Sequence, residues 1–188
     1  NNLAGSIELL RSKLMVSRVL NQMPLDISYF AQGNVLDYEM YRQTPFEISF
    51  LLTDSTFYGV QVFVNFLSET RFQMHYKFNN TVSTGIYNVE QWYNSPGLKF
   101  KLRIIEYNFI LEQQKKIKQD PFYFLINNPE SLIDKYYKNM SIILTNQFAQ
   151  TVKISFKDRN PQKAADFVNT MASEYDLYVK ENKSAGAN

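Results

Sequence analysis

The chain has 188 residues, enough for one domain with a substantial core, or for one domain carrying an insertion. Apolar residues make up 45% and charged residues 20%, and a net charge of +2 is too small to argue for nucleic acid or an anionic membrane as partner. The lack of cysteine excludes disulfides, thiolate metal sites and cysteine nucleophiles, and a single histidine, His75, excludes a multi-histidine metal site.

Residues 6–23 predict a first helix, stopped by Pro24, which cannot continue it. At helical spacing Leu3, Ile7, Leu10 and Leu14 line one stripe, and Leu9, Val16, Val19, Leu20 and Met23 line another, nearly opposite. Such a helix is sandwiched, either within one domain or between subunits. Residues 26–31 alternate as a strand, Gly33-Asn34 marks a turn, and residues 46–52 read as a strand after Pro45.

From 57 to 110 the period is two. Val60 to Phe66, Phe72 to Phe78 and Leu98 to Ile104 each alternate apolar with polar residues, which predicts half-buried strands in an antiparallel meander. Thirteen tyrosines and fifteen phenylalanines suit packed aromatic layers. Residues 112–120 read as a polar, basic connection, and Phe122 to Ile126 as a short strand.

The last third turns helical. Asn128-Pro129 and Asn160-Pro161 each place an N-cap residue before proline at the first helical position. The first of these helices is expected to bury Leu132, Ile133, Tyr136, Tyr137 and Met140. The second should bury Phe167, Val168, Met171, Tyr175, Tyr178 and Val179 on one arc. Strands are expected at 142–144 and 152–156, and the tail from Lys180 loses the pattern, to fray or to begin a longer helix. The predicted fold is α+β: terminal helices packed on a mixed sheet, with a base formed by 1–52 and 128–188 and a β-rich insertion over 53–127.

No phosphate loop, dinucleotide fingerprint or nucleophile elbow is present, no pair of carboxylates stands out, and no cofactor is expected. His75 lies on the polar side of its strand, where a solvated role is the common one. The alternation yields a basic row, Arg71 and Lys77 on one strand and Lys99, Lys101 and Arg103 on another. If the strands are neighbours, five cations share a surface that attracts an acidic glycan; the plainer reading is the wet face of a sheet. Trp92 either stacks on sugar or, as lone tryptophans among strand residues more often do, anchors a core.

Three segments carry a resemblance: Asn1 to Ile48 with the element Met40-YRQTPF, Tyr87-NVEQWYNSPGLKFKL with its central tryptophan, and the C-terminal NPQKAADFVNTMASEY. In order and spacing they resemble the periplasmic domain of polysaccharide co-polymerases, the chain-length determinant proteins, in the branch of Bacteroidetes-type bacterial tyrosine autokinases. The resemblance implies a non-enzymatic periplasmic scaffold excised from a larger inner-membrane protein. Its flanking segments would cross the membrane, and the parent would form homo-oligomeric rings. The polysaccharide polymerase and the outer-membrane exporter would be partners, and a cytoplasmic tyrosine kinase domain could follow. A periplasmic glycan-binding or sensor module is the alternative. The chain starts at Asn1 without methionine or signal peptide, and no window approaches the roughly 18 unbroken apolar residues of a membrane span.

Overall fold

The computed structural model describes residues 3–146, 148–149 and 151–186. In chain order these form α1 (Leu3–Leu10), α2 (Lys13–Leu20), β1 (Ile27–Ala31), β2 (Tyr38–Glu39), β3 (Phe46–Leu52) and β4 (Val62–Phe66). Next come β5 (Arg71–Phe78), β6 (Thr81–Asn88), β7 (Tyr93–Ser95), β8 (Leu98–Ile104), α3 (Tyr107–Lys116) and β9 (Phe122–Ile126). The chain ends with α4 (Pro129–Asn139), β10 (Met140–Asn146), β11 (Thr151–Phe156) and α5 (Pro161–Gly186). The class is α+β, as the sequence predicts. Two compact units divide the chain: Asn1–Leu25 with Pro129–Asn188, and Asp26–Asn128.

In the terminal unit the predicted first helix is two. The Ser12 hydroxyl donates to the Leu9 carbonyl (2.6 Å) and accepts from the Met15 amide (3.1 Å), so one side chain closes α1 and caps α2. The break also reduces the two predicted apolar stripes to a single buried face on α2. Met15, Val16 and Val19 are fully buried, whereas Leu14 is 59% exposed.

Asn160 caps α5 by accepting from the Lys163 amide (3.0 Å), with Pro161 at the first helical position. From there Phe167 and Met171 are fully buried, and Val168, Tyr175, Tyr178 and Val179 half-buried. The helix runs on through the tail to Gly186; Ala187 and Asn188 lie outside the described residues.

An aromatic triplet joins three elements of this unit: Tyr136 of α4, Phe156 of β11 and Phe167 of α5, with ring centroids 4.5–5.1 Å apart. Of the residues expected to be buried on α4, Tyr136 is fully enclosed and Tyr137 is 40% exposed. The sheet under these helices is the two-stranded antiparallel ribbon β10–β11 rather than a mixed sheet.

The second unit is a β-sandwich. One sheet has the order β2-β1-β9-β4-β5-β6 and the other β3-β8-β7, with antiparallel pairing throughout the described strands. Period-two alternation turns Phe72, Met74 and Tyr76 of β5 inward to meet Leu98, Phe100 and Leu102 of β8. Phe46 of β3 sits at the centre, fully buried, with the rings of Tyr29, Phe66 and Phe122 at 5.3–5.5 Å. Tyr29 keeps its hydroxyl satisfied by accepting from the Ile48 amide (2.9 Å).

Three expectations change here. The unit begins at Asp26 rather than at 53, because β1 pairs with β9 and β3 with β8, both far away in sequence. The three alternating strands do not form one meander: β8 belongs to the opposite sheet from β4 and β5. Much of the polar stretch 112–120 is the end of α3, and its glutamines satisfy part-buried and buried backbone groups. Gln114 bonds both the amide and the carbonyl of Phe66 (2.9 and 3.2 Å), and Gln113, buried, donates to the carbonyls of Gln32 and Pro121 (2.8 and 3.1 Å).

Phe46→Ala should cost about 3–5 kcal/mol, the range for a fully buried phenylalanine, read as a lower denaturant midpoint. Gly97 has φ +77°, and a Cβ there would stand 2.6 Å from the Phe57 ring and 2.9 Å from Phe78. Gly97→Ala should therefore also unfold at lower denaturant, by about 1–3 kcal/mol; an unchanged midpoint would show that this turn relaxes freely.

Candidate functional site

The sandwich turns two outer faces to solvent, and they separate the predicted basic row. Arg71 and Lys77 lie on β5 in the six-stranded sheet, whereas Lys99, Lys101 and Arg103 lie on β8 in the three-stranded one. Both sets alternate outward from the shared core, so inward neighbours such as Phe72 and Phe100 meet (6.3 Å) while the cations point away on opposite sides. The five cations form no single row.

The three-stranded face instead gathers a smaller cluster that includes Trp92. After β6 the chain crosses between sheets through a turn with Glu90 at φ +63°. The turn is pinned by the Val89 amide donating to Thr70 O (2.9 Å) and the Glu90 amide to Leu102 O (2.8 Å). Tyr93 then takes the inward position against Tyr87 and Phe100 (4.8 and 5.9 Å), and its hydroxyl accepts from the Asn88 amide (3.0 Å). With Tyr93 packed inward, the preceding Trp92 faces out and is 46% exposed, so it is not a core anchor. Its ring lies 5.5 Å from Lys99 Nζ and 5.4 Å from Lys101 Nζ, two cation–π contacts on one indole.

Across the strands, register sets Leu51 opposite Lys99, Ser49 opposite Lys101 and Glu47 opposite Arg103. Arg103 donates to Glu47 (2.6 Å), and this hydrogen bond, then the field of Glu47 and of Glu90, raises its pKa further. No carboxylate among the described residues is paired with Lys99 or Lys101. Leu51 beside them is 60% exposed. The face is thus an aromatic plate with two unpaired cations, an apolar flank and, at the far end, a neutralised arginine.

His75 is more than a solvated strand residue. It stacks on Phe63 (5.1 Å), and its Nε2 lies 2.7 Å from Asp120 Oδ1. Asn65 holds that aspartate by donating to its carboxylate (2.8 Å) and accepting its amide (2.9 Å). Asp120, at φ +52°, is thereby fixed in a left-handed conformation. Sequence reading missed this pairing because Asp120 arrives from the loop before β9, which periodicity does not cover. Along the same face Phe63 contacts Tyr123 (5.6 Å), which stacks on Phe30 (4.8 Å) and donates to Asp37 (3.1 Å). Among the described residues the side-chain hydrogen-bond partners of His75 and Asp120 are each other and Asn65, and no three acidic or histidine groups are placed to hold a metal.

The terminal unit carries an open groove lined by Arg11, Tyr137, Met140 and Ile142, but Arg11 already donates to the Ile142 carbonyl (3.1 Å from Nε). No protein-family model matches the chain, and no curated protein matches it.

Tyr123 allows a pH test. Burial, then the hydrogen bond to Asp37 and its negative charge, pushes its phenol up to about 12 from an ordinary value of about 10. Above pH 10 the unfolded chain releases this proton while the folded chain keeps it. The contribution is therefore complete below about pH 10 and lost as pH rises towards 12. Tyr123→Phe should flatten stability against pH in that window, followed by chemical denaturation; an unaltered slope would place the titration elsewhere.

Proposed function

We propose that this chain is the periplasmic scaffold and oligomerisation domain of an inner-membrane polysaccharide co-polymerase, setting capsular or exopolysaccharide chain length without catalysis of its own. The observation that carries this reading is the pairing of the first helices with the last in one unit. Tyr175 of α5 donates to Ser6 of α1 (2.5 Å), and Arg18 of α2 reaches Glu174 and Glu181 of α5 (3.3 Å each). A loop held to a membrane by both flanks suits this arrangement, in which its entering and leaving segments are bound together. The order of elements at the C-terminus, hairpin, Asn-Pro cap and long amphipathic helix, supports it through the resemblance of NPQKAADFVNTMASEY. No helix among the described residues is long and apolar enough to cross a membrane, so anchoring would belong to flanking segments.

The parent protein is expected to carry an apolar stretch of about 20 residues on each side of this segment, read by peptide mapping of membrane-extracted material. A parent without such flanks would sink the assignment. The isolated segment is expected to be monomeric or weakly associated in light scattering, because ring assembly in this reading draws on the membrane parts. A stable ring of the segment alone would overturn that division of labour.

A further inference from the structure

We infer that the outer face of the three-stranded sheet, centred on Trp92 with Lys99 and Lys101, is a binding site for an acidic polysaccharide bearing uronate sugars. The inference goes beyond the scaffold reading and does not depend on it, since it needs only this face of the sandwich.

The chemistry of the face selects the ligand. An indole plate offers a surface on which the C–H face of a pyranose ring can stack, as aromatic side chains bury flat apolar area at low entropic cost. The two ammonium groups lie over the ring, 5.4 and 5.5 Å from its centroid, so an anion carried beside a sugar stacked on the exposed part of the indole would fall within their field. A uronate carries both features on one rigid ring; a neutral sugar lacks the anion, and a free inorganic anion lacks the stacking face. The two lysines are the cations of this face without a carboxylate partner among the described residues, while Arg103 is held by Glu47. Their charge is thus available for an incoming anion.

The shape of the face selects a polymer. Lys99 and Lys101 are two residues apart on one strand, about 7 Å, and Leu51 and Asn94 extend the surface on either side of Lys99 by register. With the two cations spaced along one strand, a chain presenting repeated uronates would gain by multivalency over a single sugar. An anionic lipid surface fits less well, because this face offers one tryptophan on a flat sheet rather than an apolar edge to insert.

Trp92 is the chain's one tryptophan, so its emission reports this site alone. The 188-residue chain would be titrated with oligogalacturonate, alginate and hyaluronan oligomers, with fully methyl-esterified oligogalacturonate as the uncharged match and phosphatidylglycerol vesicles as the lipid arm. Expected is a saturable emission change with at least one uronate oligomer, weakened by added salt and absent with the ester. Lys99→Gln with Lys101→Gln should lower the affinity by about tenfold or more, with the far-UV circular dichroism unchanged. Trp92→Leu, followed by calorimetry, should lower it similarly, whereas Arg71→Gln with Lys77→Gln on the opposite sheet should leave it as it was. The inference is overturned by no saturable change with any of the three oligomers, by equal binding of the ester, by unchanged affinity in the double lysine variant, or by vesicles binding in place of the glycans.

Discussion

The pairing of β1 with β9 is the constraint on which the rest of the molecule depends. Ile27 lies opposite Ile126 and Ala31 opposite Phe122, and the Asn127 amide donates to Asp26 O (2.9 Å), so the sandwich is closed where the chain enters and leaves it. That closure makes residues 26–128 a self-contained excursion and leaves the two chain ends to form a unit of their own. It also creates the centre of the sheet: β9 contributes Phe122 and Phe124, both fully buried, beside β4. Closing so long a span costs entropy, which burial of the shared core, with the aromatic packing around Phe46 at its centre, offsets.

The same alternation that fills the core distributes the surface chemistry. Each inward phenylalanine of β5 and β8 obliges its neighbours to face water, so His75 on one sheet and Lys99 and Lys101 on the other are consequences of core packing. What differs between the faces is how their polar groups are satisfied. His75 is locked to an aspartate that is itself held by Asn65, an arrangement that fixes the loop before β9. Among the described residues the lysines beside Trp92 have cation–π contacts to the indole and no carboxylate partner, which is why that face, and not the histidine, offers unspent binding capacity.

In the terminal unit, polar contacts join what hydrophobic patterning cannot specify. The triplet Tyr136, Phe156 and Phe167 provides the core, and Arg18 with Glu174 and Glu181 fixes which part of α5 lies beside α2. The scaffold reading draws on this pairing, while the glycan inference draws on the other unit. One chain would thus divide assembly and ligand contact between two units.

The sequence alone determined the α+β class, eight of the eleven described strands (β2, β6 and β7 excepted) and the Asn-Pro start of α5, because these rest on local rules: period two, period 3.6 and capping geometry. It also determined that Lys99, Lys101 and Arg103 share a face, since a strand fixes that by itself. Which sheet each strand joins was left to the tertiary structure, because β8 pairs with β3 across some fifty residues through backbone groups that every residue carries alike. That choice split the basic row, moved the boundary of the second unit to Asp26 and brought Asp120 to His75. It decided Trp92 as well. Composition favours a buried tryptophan, but Tyr93 fills the inward position beside Phe100, and the pleat of the sheet then leaves Trp92 outside with the lysines.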